Sequence, residues 1–143
     1  REVIPSVHDP DSIAWTTVEI QEFIKRHRFT MDSTGTGLRY EVYEHPQGRA
    51  PQPHDEVLLS YKVHSLSGTL FYEFTPQRPD TFRLSEAMQV RGLEEALYLM
   101  HEGEKARLVL PAHLAYGMIG DDRKIPGATP LWVKKAGFQF VVR

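Results

Sequence analysis

Hydrophobic residues recur at every third or fourth position from about residue 11 to residue 29 and at every second position in the stretches after Gly37. Ile20, Phe23, Ile24 and His27 stand at i, i+3, i+4 and i+7, one face of a helix, so the pattern predicts a helix from Asp11 to about Phe29. The basic run Lys25-Arg26-His27-Arg28 suits its last turn, where cations meet the negative end of the helix dipole. Residues 1–10, with Pro5 and Pro10, read as an irregular arm. Residues 31–37, with Thr34-Gly35-Thr36-Gly37, read as a flexible connector.

The switch to period two predicts strands. Leu38, Tyr40 and Val42 alternate with polar residues, and Val57, Leu59, Tyr61 and Val63 do so most clearly. A turn at Ser67-Gly68 leads into a strand over 69–74, and a short strand follows around 82–84. Leu93, Leu97 and Met100 share one side of a short helix from about Gly92 to Met100, with Gly103 placed to stop it. Ala106, Leu108 and Leu110 mark another strand. Residues 111–129 are loop-rich, and 132–143 form a final strand pair or one bulged strand. Several strands and one internal short helix predict an α+β fold, a curved antiparallel sheet wrapped on a helix, behind an N-terminal helical extension.

The chain of 143 residues suits one domain of ordinary size. Hydrophobic residues at 41% and charged residues at 25% are the balance of a globular protein. With a formal net charge of -2, global electrostatics give no case for binding nucleic acid or an anionic membrane. The absence of cysteine excludes disulfides, thiolate catalysis and cysteine-ligated metals. No stretch approaches the roughly 20 apolar residues that span a bilayer. The chain begins at Arg1, as expected of a mature form whose upstream segment has been removed.

Candidate chemistry is sparse. His8, His27, His45, His54, His64, His101 and His113 form no i, i+4 pair with the Glu of a zinc-protease helix, and they read as scattered surface residues. Gly35-Thr36-Gly37 and Gly117-Met118-Ile119-Gly120 are too short for phosphate loops. Glu94 and Glu95 point apart on a helix and make no carboxylate pair.

The informative stretch runs from Val90 to Gly117, VRGLEEALYLMHEGEKARLVLPAHLAYG, followed by Gly120 and Ile125-Pro126-Gly127-Ala128-Thr129-Pro130-Leu131. Its short helix after Arg91-Gly92, its Gly103-Glu104-Lys105-Ala106 turn and its Leu114-Ala115-Tyr116-Gly117 segment resemble, in order, the signature of FKBP-type peptidyl-prolyl cis–trans isomerases. The resemblance extends back through Phe71 and Tyr61 and covers roughly residues 37–143. It implies an FKBP-type domain over 37–143 behind an arm and helix over 1–36. It also implies a five- or six-stranded antiparallel sheet curled over the helix, with a proline pocket between them. Thr36-Gly37-Leu38-Arg39-Tyr40 resembles the domain entry of envelope FKBP-like lipoproteins of Bacteroidetes-type bacteria, including gliding-motility-associated ones. That second resemblance implies a bacterial cell envelope or periplasmic location, with a removed N-terminal lipid anchor as the only link to a membrane and a cytoplasmic home as the alternative.

The reaction implied is rotation about X–Pro bonds, whose barrier is about 18–20 kcal/mol and whose uncatalysed exchange takes tens to hundreds of seconds. It needs no cofactor, metal or nucleophile. An apolar pocket favours the twisted amide, in which carbonyl and nitrogen are less charge-separated, and hydrogen bonds to that geometry add to the effect. By resemblance Tyr116, Tyr61 and Phe71 are the catalytic candidates: Tyr116 as donor to the substrate carbonyl, Tyr61 and Phe71 as aromatic walls. Phe82, Gln89, Val90, Leu93, Ile125 and Tyr72 are the substrate-binding candidates, Val90 through its backbone amide and Ile125 as an apolar rim. The chain departs from the family pattern at five positions. Tyr72 follows Phe71 where Asp is usual, Leu93 replaces a tryptophan floor, Asp80 replaces an aromatic, and Asp121 and Lys124 stand on a rim of more neutral residues.

Two functions remain open on this reading. The first is an isomerase acting on proline-containing protein segments and assisting folding. The second is a non-catalytic FKBP-like binding or chaperone module with a degenerate pocket, which Leu93 and Tyr72 favour. The extension is expected to dock on its own domain, a monomer, rather than to pair two chains through residues 13–24.

Overall fold

Residues 56–65, EVLLSYKVHS, alternate so regularly that Val57, Leu59, Tyr61 and Val63 all reach the same interior face. The computed structural model describes residues 10–45, 48–86 and 90–141, with side chains from residue 17 onward. In chain order the elements are helix α1 (Pro10–His27), strands β1 (Asp32–Ser33), β2 (Arg39–Glu44), β3 (Glu56–Ser65), β4 (Leu70–Phe74) and β5 (Asp80–Arg83), helix α2 (Arg91–Leu97), strand β6 (Lys105–Leu110), a 3-10 turn (Ala112–Leu114) and strand β7 (Leu131–Phe140). The strands form one antiparallel sheet in the order β1-β2-β6-β7-β3-β4, with β5 also paired to β3. This is the α+β arrangement expected, an antiparallel sheet over one short helix, with seven strands rather than five or six because the hairpin strand β1 and the short β5 add to the sheet. The arm before Pro10, Gln89 and the last two residues lie outside the described residues.

Helix α2 presses Leu93, Ala96 and Leu97 onto the interior face made by β3, β6 and β7, and Met100 just after the helix joins them. It can sit close because Gly92 has no side chain. A Cβ there would come within 2.7 Å of Leu110 Cδ2 and 3.0 Å of the Leu114 carbonyl oxygen.

The sheet is bent by bulges, each the insertion of one residue into a ladder. In β7, Gly137 pairs Ser60 but Lys134 pairs Lys62, and the same break appears against β6, where Ala136 pairs Ala106 but Val133 pairs Leu108. The extra residue is Lys135, in the left-handed region at φ 54°. The chain's end is therefore one bulged strand: the bulge resets the alternation so that Val133, Ala136 and Phe138 all face inward. In β4, Val63 pairs Tyr72 but His64 pairs Leu70, leaving Phe71 as the inserted residue.

Two expectations need correcting. Residues 31–37 are a hairpin rather than a flexible connector. Asp32 pairs Tyr40 and Ser33 pairs Arg39, and the turn closes through Thr34 N to Leu38 O at 2.9 Å and Gly37 N to Thr34 O at 3.1 Å. Gly37, at φ 102°, supplies the left-handed turn residue. His64 is not a surface residue: it is 8% exposed on the outer face of β3, beside the Trp132 ring at 5.5 Å. Burial, then the neighbouring Lys134 and Lys62, push its pKa below the usual histidine value.

Helix α1 lies on that outer face. Ile20 and the fully buried Phe23 form a second cluster with Leu66 and Val109, joined by Ile24, Phe29, Met31 and Trp132. Phe23 meets the Trp132 ring edge-on at 5.0 Å. The helix stops where Arg28 turns left-handed at φ 57°, and Phe29 N bonds Ile24 O at 3.1 Å. The basic residues Lys25, Arg26 and His27 occupy its last turn as expected.

The closeness of α2 to β6 gives the first prediction. Gly92→Ala forces the buried Leu110 to shift and is expected to lower stability by about 1–3 kcal/mol, the usual cost of overpacking. Urea denaturation checks it: an unchanged midpoint would mean the helix has slack that the geometry does not show.

Candidate active site

The interior face does not fill completely beneath the loop that follows β6. A cavity of about 340 Å³ remains between α2, the strands and that loop. Its apolar surface comes from Val63, Val90, Leu93, Leu110, Leu131 and Val133, and its aromatic surface from Tyr61, Tyr72, Phe74 and Tyr116. Alternation brings these together: Tyr61 and Val63 face inward from β3, and their direct partners Phe74 and Tyr72 face inward from β4. The rings of Tyr61 and Phe74 stack at 4.9 Å. Asp80, Asp121 and Arg123 complete the lining.

The two carboxylates are committed. Tyr61 Oη donates to Asp80 Oδ2 at 2.7 Å, and Tyr72 Oη donates to Asp121 Oδ2. Hydrogen bonds to an ionised acceptor are stronger than neutral ones. The third tyrosine differs: no described residue accepts a hydrogen bond from Tyr116 Oη. Burial, then Asp121 and Asp80, raise the Tyr116 pKa above the usual phenol value. Burial and the bond to Asp80 raise that of Tyr61, and the bond to Asp121, with burial, that of Tyr72. All three are therefore protonated donors at neutral pH.

Asp121 also organises the loop. Its Oδ1 accepts from the amides of Arg123 and Lys124 at 3.0 Å each and of Ile125 at 2.8 Å. Desolvation pulls this carboxyl upward, but the Tyr72 hydroxyl and the three amides outweigh it and hold the pKa at about 2. Gly120, at φ 80°, lets the turn close, because a Cβ there would stand 2.2 Å from the Ile125 carbonyl oxygen. Among the described residues no group of His, Asp and Glu is placed to hold a metal, and no helix is long and apolar enough to cross a membrane.

The model of the family "FKBP-type peptidyl-prolyl cis-trans isomerase" matches residues 47–134, more than half of the chain and all of this cavity. The chain belongs to that family. FkpA, an FKBP-type peptidyl-prolyl cis-trans isomerase of Escherichia coli (strain K12), is 36% identical over 99 residues, covering 68% of this chain and 34% of that protein. The macrophage infectivity potentiator of Trypanosoma cruzi is 39% identical over 98 residues, covering 67% of this chain and 49% of its own. The chain thus spans between a third and a half of these relatives' lengths. The crystal structure of FkpA from Escherichia coli superposes with a TM-score of 0.70 at 29% identity, covering 91% of this chain and 60% of that chain.

Against this FKBP-type frame, the candidates read from sequence divide. Tyr61, Tyr72, Val90, Leu93 and Tyr116 line the cavity. Phe71 is the bulge residue of β4 and packs against the core from outside the lining, as does Phe82 on β5. Ile125 is buried in the rim loop, 3% exposed, without lining the cavity. Gln89 lies outside the described residues. Sequence reasoning did not bring in Val63, Phe74, Leu110, Leu131, Val133 or Arg123. The alternation through Tyr61 points to Val63, that through β6 to Leu110 and that through Tyr72 to Phe74; the β4 bulge decides that this set, rather than Phe71, faces the cavity.

Asp121 makes the site sensitive to acid. Its folded pKa of about 2 lies below that of a free aspartate, ~3.9. It therefore stabilises the fold above about pH 4, and the contribution is lost as pH falls through about 2. Asp121→Asn, which has no charge to lose, is expected to show a smaller drop in stability between about pH 4 and pH 2 than the parent protein. Urea midpoints across that range decide it; parallel curves would show that Asp121 is not coupled to folding.

Proposed function

We propose that this chain is a peptidyl-prolyl cis–trans isomerase that binds extended, proline-containing segments of other proteins in the cavity and assists their folding. One observation carries the reading. Of three tyrosine hydroxyls around the cavity, two are held by carboxylates, and Tyr116 alone stands over an apolar floor with its donor uncommitted among the described residues. A proline ring on Leu93, Leu110, Leu131 and Val133 would place the preceding carbonyl within the reach of that donor. The apolar surroundings disfavour the charge-separated planar amide, and a hydrogen bond to the twisted form lowers the barrier further. The Val90 amide, at the extended residue that precedes α2, is the proposed second donor. Tyr61 acts as a wall whose hydroxyl is already satisfied by Asp80.

The finer assignments belong to the same proposal. The isomerase domain occupies residues 37–143 and the arm and helix residues 1–36, a division that the family match over 47–134 supports. A bacterial envelope or periplasmic location, with a lipid-anchored precursor, is supported by the resemblance of Thr36-Gly37-Leu38-Arg39-Tyr40 to envelope relatives.

Exchange spectroscopy by NMR on X–Pro peptides, with catalytic amounts of the chain, tests the reading. Tyr116→Phe is expected to lower kcat/KM about tenfold, the value of one hydrogen bond of ~1.4 kcal/mol. Acceleration that is insensitive to Tyr116→Phe would remove Tyr116 from the mechanism. No acceleration at all, with peptide binding retained, would leave the chain as a non-catalytic binding module.

A further inference from the structure

Strand β4 sits at one end of the sheet path and, among the described residues, pairs only with β3. Across the cavity from it runs the loop after β6, which belongs to no strand. Tyr72 from the first and Asp121 from the second both line the cavity, and their hydrogen bond joins its two banks.

What Tyr72 grips is more than one side chain. Asp121 Oδ1 collects the amides of Arg123, Lys124 and Ile125, and Asp121 N bonds Ile125 O at 3.1 Å. Residues 121–125 are therefore one turn framed on a single carboxylate, and fixing that carboxylate fixes the turn. Lys124 reinforces the joint, with Nζ 5.2 Å from the centre of the Tyr72 ring. The same loop is tied to the proposed carbonyl donor, since Gly120 N bonds Tyr116 O at 3.2 Å. The cavity these banks enclose, about 340 Å³, is near the small end of ligand pockets, which run from ~300 to ~1,000 Å³.

We propose that the Tyr72–Asp121 joint is a strap that sets the width of the cavity and so selects small residues immediately before proline. The inference rests on the proposed function. The residue before proline owns the carbonyl that Tyr116 would hold, and Tyr116 is hydrogen-bonded to Gly120 at the start of the strapped loop, so in this proposal that residue's side chain lies beside the loop. A short side chain such as alanine passes beneath the strap, whereas leucine or phenylalanine must displace it. Tyr72 and Asp121 stand at two of the positions where this chain departs from the family pattern, and the bond between them makes the departures one device.

Tyr72→Phe removes the hydroxyl while leaving the ring and the three amide bonds to Asp121. In the full chain, kcat/KM would be measured by exchange spectroscopy, and binding by NMR shift titration, for Ala–Pro and Leu–Pro peptides of otherwise identical sequence. The strap requires a parent preference for Ala–Pro. It also requires the Leu–Pro to Ala–Pro ratio to rise at least fivefold in Tyr72→Phe, with faster amide exchange at residues 120–125. An unchanged ratio in a variant whose spectrum remains that of the folded parent overturns the proposal, as does a parent preference for Leu–Pro. If the parent binds both peptides but turns over neither, the isomerase reading fails, and the strap stands or falls on the binding ratio alone.

Discussion

The contact on which the rest of the site depends is that of Gly92 with Leu110 and Leu114. Helix α2 has only seven residues, too few to hold its place by its own hydrogen bonds. It is fixed by the sheet it covers, and it reaches that sheet because nothing projects from Gly92. The two residues flanking Arg91 and Gly92 then have set positions: Val90 stays extended at the cavity edge and Leu93 turns down into its floor. A larger residue at 92 would lift the helix, and the cavity would lose its depth and its orientation together.

The walls answer a different problem, that of carboxylates beside an apolar cavity. A charge there is costly unless hydrogen bonds replace water. Asp80 and Asp121 each accept a tyrosine hydroxyl, and Asp121 takes three backbone amides besides. The arrangement turns two liabilities into braces: one ties β3 to β5, the other ties β4 to the rim loop. The carboxylate that meets Tyr61 comes from β5.

These features show which parts of the molecule were legible in the sequence. The alternation of Val57 to Val63, the face of Ile20, Phe23 and Ile24, and the ordered signature from Val90 to Gly117 depend on local spacing, and each led to the right element. What sequence missed depends on register. The bulge at Phe71 moves Tyr72 into the cavity and Phe71 out of it, and nothing in the string FYEF announces the extra residue. The bulge at Lys135 likewise left the end of the chain readable as one strand or two. The partners of Asp80 and Asp121 lie 19 and 49 residues away, so both acids registered as departures from a pattern rather than as halves of a bond. Residues 31–37 looked like a connector because a two-residue strand carries no periodicity.

The two faces of the sheet are less independent than their separate clusters suggest. In β7, Trp132 points outward to Phe23 and Phe29 of the extension, while its neighbours Leu131 and Val133 point inward as cavity floor. On β6, Val109 joins the outer cluster and Leu110 the floor. A strand cannot shift one face without shifting the other. Packing α1 against Trp132 and Val109 therefore clamps, from behind, the two strands against which α2 sets the cavity. The extension is on this argument part of the site's scaffold, and the register of β6 and β7 is where its packing and the geometry of the cavity meet.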